Sequence, residues 1–153
     1  MNTLFKFLVI IVMVELAGGC ASRSKIDWRQ RTAAVQRSYS TGDIWAAEAA
    51  LVGYVRDLDA VDPLKERLQI SYEFCLGISH GRLFLIYQRL NMADRAEDEY
   101  RKSVYWFQKR ARKDGMPPPN LTHETLAHLV EVDDSTAKIA WKTSEIPPRP
   151  SNK

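Results

Sequence analysis

Apolar residues recur at spacings of three and four along most of the chain, and no stretch alternates with the period of two that marks a half-buried strand. The sequence therefore predicts an all-α protein. A first helix begins near Ile26 or Asp27 and carries Trp28, Thr32, Val35 and Tyr39. Ser40-Thr41-Gly42-Asp43 interrupts it, with Gly42 suited to a left-handed turn and Asp43 to the N-cap of the next helix. That helix bears Ile44, Ala47, Ala50, Leu51, Tyr54, Val55 and Leu58, and a connection this short makes the two antiparallel. Asp62 and Pro63 open a third pattern that reaches Leu90 without a breaker, about 28 residues and roughly 40 Å of helix. Gly77 and Gly81 share one face of it, and each costs about 1 kcal/mol against Ala. They point to close approach of another backbone, with a bend as the alternative.

Asn91-Met92-Ala93-Asp94 breaks the pattern again, and a fourth helix follows from about Arg95 to Lys113, ending at Gly115. Glu97 with Arg101 and Asp98 with Lys102 stand four apart in the favourable acid-first order. The prolines at 117, 118 and 119 impose an extended linker over residues 116–121. Asn120 or Thr122 then caps a last helical segment over residues 122–144, through Leu126, Leu129, Val130, Ala137, Ile139 and Trp141. Asp133-Asp134-Ser135 is positioned to split that segment in two, and residues 145–153, rich in proline, read as an extended, mobile tail.

The N-terminus carries a different signal. After Lys6, residues 7–14 are all apolar, which gives ~12 Å of helix against the ~30 Å hydrocarbon core of a bilayer. A secretory signal fits this length better than an uncleaved anchor, which stays as the alternative. Leu16-Ala17-Gly18-Gly19-Cys20 resembles the lipobox of bacterial lipoproteins, with Ala17 where the family has Leu, Leu16 one place early and Glu15 ending the apolar run. Small residues leave the scissile segment open to a peptidase, and the cysteine thiol is the nucleophile that accepts a diacylglycerol. The resemblance implies that residues 1–19 are removed, that Cys20 is lipidated and that residues 20–25 form a tether. It also implies a place at the periplasmic face of a membrane, with Ala21 rather than Asp after the cysteine favouring the outer membrane. Each buried methylene contributes about 0.8 kcal/mol, so a triacylated, palmitate-bearing cysteine stays in the membrane permanently. Cys75 is then the one remaining thiol, and its apolar neighbours predict burial rather than reactivity.

Residues 26–115 form the expected helical domain. Within it, residues 77–108 resemble a tetratricopeptide repeat, a helix-turn-helix unit of about 34 residues. Leu83, Tyr87, Asn91, Ala96, Tyr100 and Ser103 fall on the motif's positions, while Phe84 stands where the family has Gly and Gln108 lies near its Pro. A weaker copy covers residues 28–61, with Gly42 at the turn and Ala47 and Leu51 on the second helix. The resemblance implies antiparallel hairpins closed by the C-terminal helix. The alternative is a plain helical bundle.

Composition narrows function mainly by exclusion. With 22 basic against 19 acidic residues the formal charge is +3, too small an excess for a nucleic-acid partner, and it remains +3 after Lys6 and Glu15 leave with the signal. A mean hydropathy of -0.33 excludes a multi-span membrane protein. His123 and His128 are five apart, so on one helix they point about 140 degrees away from each other and cannot share a metal. Glu124 beside them reads as a capping residue, and His80 as a hydrogen-bonded interior histidine. No phosphate-binding glycine loop, nucleophile elbow or paired metal-ligand cysteines occur, so neither enzyme activity nor a cofactor nor a metal is expected. What remains is a surface. Val104, Tyr105, Trp106 and Phe107 are consecutive, and helical geometry forces at least one of them away from the core. That residue either packs on the C-terminal helix near Trp141 or anchors a partner. Tyr105, Trp106, Lys109, Arg110, Arg112 and Lys113 are thus the candidate partner-binding residues, although cations at a helix C-terminus also complement its free carbonyls. The expected function is a lipid-anchored adaptor or scaffold in envelope assembly or secretion, with a membrane contact through Cys20 and a protein partner. A periplasmic ligand-binding or enzymatic domain centred on His80, and an immunity-type surface lipoprotein, are the alternatives.

Overall fold

The computed structural model describes residues 28–61 and 71–136. The signal segment with Cys20, the tether, Asp62 and Pro63, the stretch holding Ala137, Ile139 and Trp141, and the tail over residues 145–153 lie outside the described residues. The expected unbroken helix up to Leu90 is instead an 18-residue helix that starts at Tyr72, because Ser71 is non-helical and its hydroxyl accepts from the N–H of Phe74 as an N-cap. Five helices follow in order: α1 (Trp28–Ser40), α2 (Ile44–Asp59), α3 (Tyr72–Arg89), α4 (Ala93–Lys113) and α5 (His123–Thr136). The protein is all-α, and among the described residues no helix is long and apolar enough to cross a membrane.

The first hairpin forms where its punctuation predicts. Gly42 sits at φ 78°, and the Asp43 carboxylate accepts hydrogen bonds from the backbone N–H groups of Trp45 (3.0 Å) and Ala46 (3.1 Å). Val35 and Tyr39 of α1 pack with Ile44, Leu51, Tyr54 and Leu58 of α2, and Arg31 pairs with Asp57 at 2.6 Å across the hairpin.

The second hairpin turns at Asn91, which takes the left-handed conformation at φ 56°. Asn tolerates this region better than other side chains with a Cβ do. The N–H of Met92 reaches the carbonyl of Tyr87 (2.9 Å) and that of Asn91 reaches Gln88 (3.1 Å), the two bonds of a Schellman ending. Gly115 ends α4 in the same way, at φ 70°, with Met116 bonded back to Ala111 at 2.8 Å. Helix α4 starts at Ala93, two residues before the expected Arg95.

Helix α3 is the centre of the molecule, packing on α2, α4 and α5. The two glycines mark where neighbours approach, and the approaching groups are side chains from two different helices. A Cβ on Gly77 would lie 3.1 Å from the ring of Phe107 in α4, and one on Gly81 would lie 2.8 Å from Val130 in α5. The Ser103 hydroxyl donates to the Gly77 carbonyl at 2.7 Å, which places α4 close against α3.

Helix α5 is capped reciprocally. The Thr122 hydroxyl accepts from the N–H of Thr125, and the Thr125 hydroxyl accepts from that of Thr122. Its buried face is Leu126 and Val130. The expected break at Asp133-Asp134 does not occur, and the helix continues to Thr136. Both carboxylates turn inward to Arg82 of α3, at 2.7 and 2.9 Å, so they fasten the helix rather than end it.

Candidate functional site

Helix α4 buries Ala96, Ser103, Phe107 and Ala111, a stripe whose spacing leaves the opposite side to Asp98, Arg101, Lys102, Tyr105, Lys109 and Arg112. The run of four apolar residues resolves as follows. Phe107 enters the core edge-on to Phe74, with ring centroids 5.9 Å apart. Val104 is half-buried. Trp106 is half-buried as well, edge-on to Tyr72 of α3 at 5.6 Å. Tyr105 is the outward one, 55% exposed, with its ring held edge-on to Trp106 at 5.1 Å. The Lys109 ammonium lies 4.6 Å from the Trp106 centroid and 5.8 Å from that of Tyr105, a cation–π contact with both rings.

The basic end of α4 is less free than its sequence suggests. Arg110 pairs with Asp114 of its own helix end, and Lys113 reaches Glu73 at 3.0 Å. Burial pushes the Glu73 carboxyl up, but hydrogen bonds from Lys113, the backbone and Ser71 outweigh it and hold the group below the usual carboxylate range. The six candidate residues thus divide in two. Trp106, Arg110 and Lys113 are engaged with the fold, while Tyr105, Lys109 and Arg112 face outward without a carboxylate among the described residues.

The histidines are spread over the molecule. His80 is buried and its Nδ1 donates to Glu99, whose other oxygen accepts from Lys102 at 2.9 Å. Burial raises the Glu99 carboxyl, and these hydrogen bonds more than reverse the effect. His123 lies between Phe84 and Tyr100, with centroids at 5.3 and 4.1 Å, and bonds Glu97 through Nε2 at 3.1 Å. His128 is exposed. Among the described residues no group of three His, Cys, Asp or Glu is placed to hold a metal ion. Cys75 is buried, and desolvation pushes its thiol up, which disfavours the thiolate. Its neighbour Tyr54 is pushed by burial to about 12.

Two features escaped the sequence reading. One is the clamp in which Arg82, beneath the Tyr39 ring at 5.3 Å, holds Asp133 and Asp134. Arg82 in the apolar middle of α3 and the adjacent pair Asp133-Asp134 in the last helix were the available signal. The other is a cleft of about 510 Å³ where the end of α3, the start of α4 and His123 meet, with Phe84 and Ala96 at its floor and Asn91, Asp94 and Glu97 at its sides. Beside this corner Tyr100 packs its ring against Phe84 of the same hairpin, with centroids 5.7 Å apart, and its hydroxyl donates to the Leu121 carbonyl ahead of α5. The chain matches no protein-family model, no curated protein and no solved structure.

Proposed function

We propose that this chain is a lipid-anchored, repeat-like helical adaptor of the bacterial cell envelope. Cys20 fixes it at the periplasmic side of a membrane, and α4 presents a surface to a protein partner. The observation that carries this reading is Tyr105, an exposed aromatic ring braced by Trp106 and flanked by Lys109 and Arg112. Rigid aromatic and Arg side chains dominate protein interfaces because they bury much area at small entropic cost. Activity then resides in binding and not in a catalytic group, and no cofactor is required.

The test is capture of a partner from detergent-solubilised membranes. Tyr105→Ala with Arg112→Ala is expected to lose the partner while keeping the wild-type unfolding midpoint. His123→Ala with His128→Ala is expected to retain it, and His80 stays intact because it sits in the core. A reversed outcome supports a second reading, favoured by the cleft beside His123, in which the domain binds a small ligand there. Anchoring is tested separately: Cys20→Ser is expected to move the protein to the soluble fraction, and retention on membranes after a salt wash would overturn lipidation.

A further inference from the structure

We infer that the partner of the α4 surface is an acidic protein segment bearing an apolar side chain next to two carboxylates, an inference that rests on the adaptor reading. Tyr105, Lys109 and Arg112 follow one another at i, i+4 and i+7, so they lie on one line along the helix over about 10 Å. The ring is held by its edge-on contact with Trp106, which is itself edge-on to Tyr72. The anchor is therefore pre-organised and loses little freedom on binding. Lys109 lies over both rings, which fixes one positive charge beside the aromatic face, and Arg112 supplies a planar donor fork one turn further on.

The charge arrangement selects discrete carboxylates rather than an anionic bilayer. Attraction to an anionic membrane grows with the number of clustered cations, typically about four to eight. Here two of the four cations already have carboxylate partners, Arg110 in Asp114 and Lys113 in Glu73, which leaves fewer than that number unpaired. What faces outward without a carboxylate partner is one ring and two separated cations, a pattern that a partner matches with an apolar residue and acids spaced along its own backbone.

The experiment titrates the Cys20→Ser chain, which carries no acyl anchor, in detergent-free buffer with three probes: a helical peptide carrying one Leu and Glu four and seven positions from it, the same peptide with Gln for Glu, and phosphatidylglycerol vesicles. Backbone and side-chain NMR shifts of Tyr105, Lys109 and Arg112 are followed up to millimolar peptide. The Glu peptide is expected to bind at least tenfold more tightly than the Gln peptide. Lys109→Glu with Arg112→Glu is expected to transfer that preference to a Lys-substituted peptide, and an unchanged unfolding midpoint shows that this variant is folded. Equal or absent binding of the two peptides overturns the inference, as does vesicle binding that the charge reversal abolishes while the peptide has no effect. If the peptides fail while capture of a membrane partner still requires Tyr105, the adaptor reading stands and only the acidic chemistry falls. If capture is also independent of Tyr105, both fall.

Discussion

Helix α3 buries residues on every side from Glu73 to Tyr87, whereas α4, its partner in the same hairpin, buries only Ala96, Ser103, Phe107 and Ala111. The difference follows from the number of neighbours. Helix α4 has one covered side, so its charges go to the other. Helix α3 is covered by α2, α4 and α5, and every charged group it carries inward needs a partner on one of them. Glu73 finds Lys113, His80 finds Glu99 and Arg82 finds Asp133 and Asp134. Apolar burial holds the central helix in place, and these three pairings specify which neighbour lies where along it.

The sharpest way to break the contrast is to remove a charge from each helix. Arg82→Met leaves two inward carboxylates without their cation and should cost about 3–5 kcal/mol in urea unfolding. Arg101→Met on α4 removes an exposed partner of Glu97 and should change stability by less than about 0.5 kcal/mol. Equal effects would mean that α3 is no more demanding than α4.

Next in size are the glycines. Gly81→Ala places a methyl 2.8 Å from Val130, whose branched side chain has no other rotamer of low energy, so a loss of about 1–2 kcal/mol is expected despite the higher helix propensity of Ala. Val130→Ala in the same chain should remove the clash, and non-additivity of the two changes measures it. Gly77→Ala meets the Phe107 ring at 3.1 Å and should be milder, because an aromatic ring can tilt.

Acid titration separates two buried carboxylates by sign. Glu99 is held below 4.5 in the folded protein, so its contribution is present above that value and is lost as pH falls through its folded pKa. Glu99→Gln should therefore flatten the fall in stability on acidification below pH 4.5. Burial raises Asp134 above 3.8 in spite of Arg82, so its contribution declines as pH rises from 3.8 through its folded value. Asp134→Asn should steepen the acid-side fall, as followed by thermal unfolding across that range. The smallest effect belongs to the outer side of α4: Tyr105→Ala should shift stability by no more than about 0.5 kcal/mol, whatever it does to binding.

What the sequence made legible was local. Gly42 with Asp43, Asn91 and Gly115 each act within a few residues, and the helices end where these stand. Pairings between distant positions were not legible. Asp133 and Asp134 look like a break when read beside their neighbours, since the cation that turns them inward is about fifty residues away on another helix. The candidate surface shows the same limit. Helical geometry required that one of Val104, Tyr105, Trp106 and Phe107 point outward, but Tyr72 decides which, by taking Trp106 against α3. The pairing of Lys113 has the same origin, because Glu73 lies on the facing helix and only the fold brings it to Lys113.

Because α5 follows an exposed, proline-bound connection and rests on α3 through Leu126, Val130 and the Arg82 clamp, it is built to open as a unit while the α3–α4 hairpin stays folded. In native-state hydrogen exchange, the amides of α5 should share one opening free energy lower than that of α3, and Arg82→Met should lower it further. Such an exchange pattern would make the last described helix a separate cooperative unit.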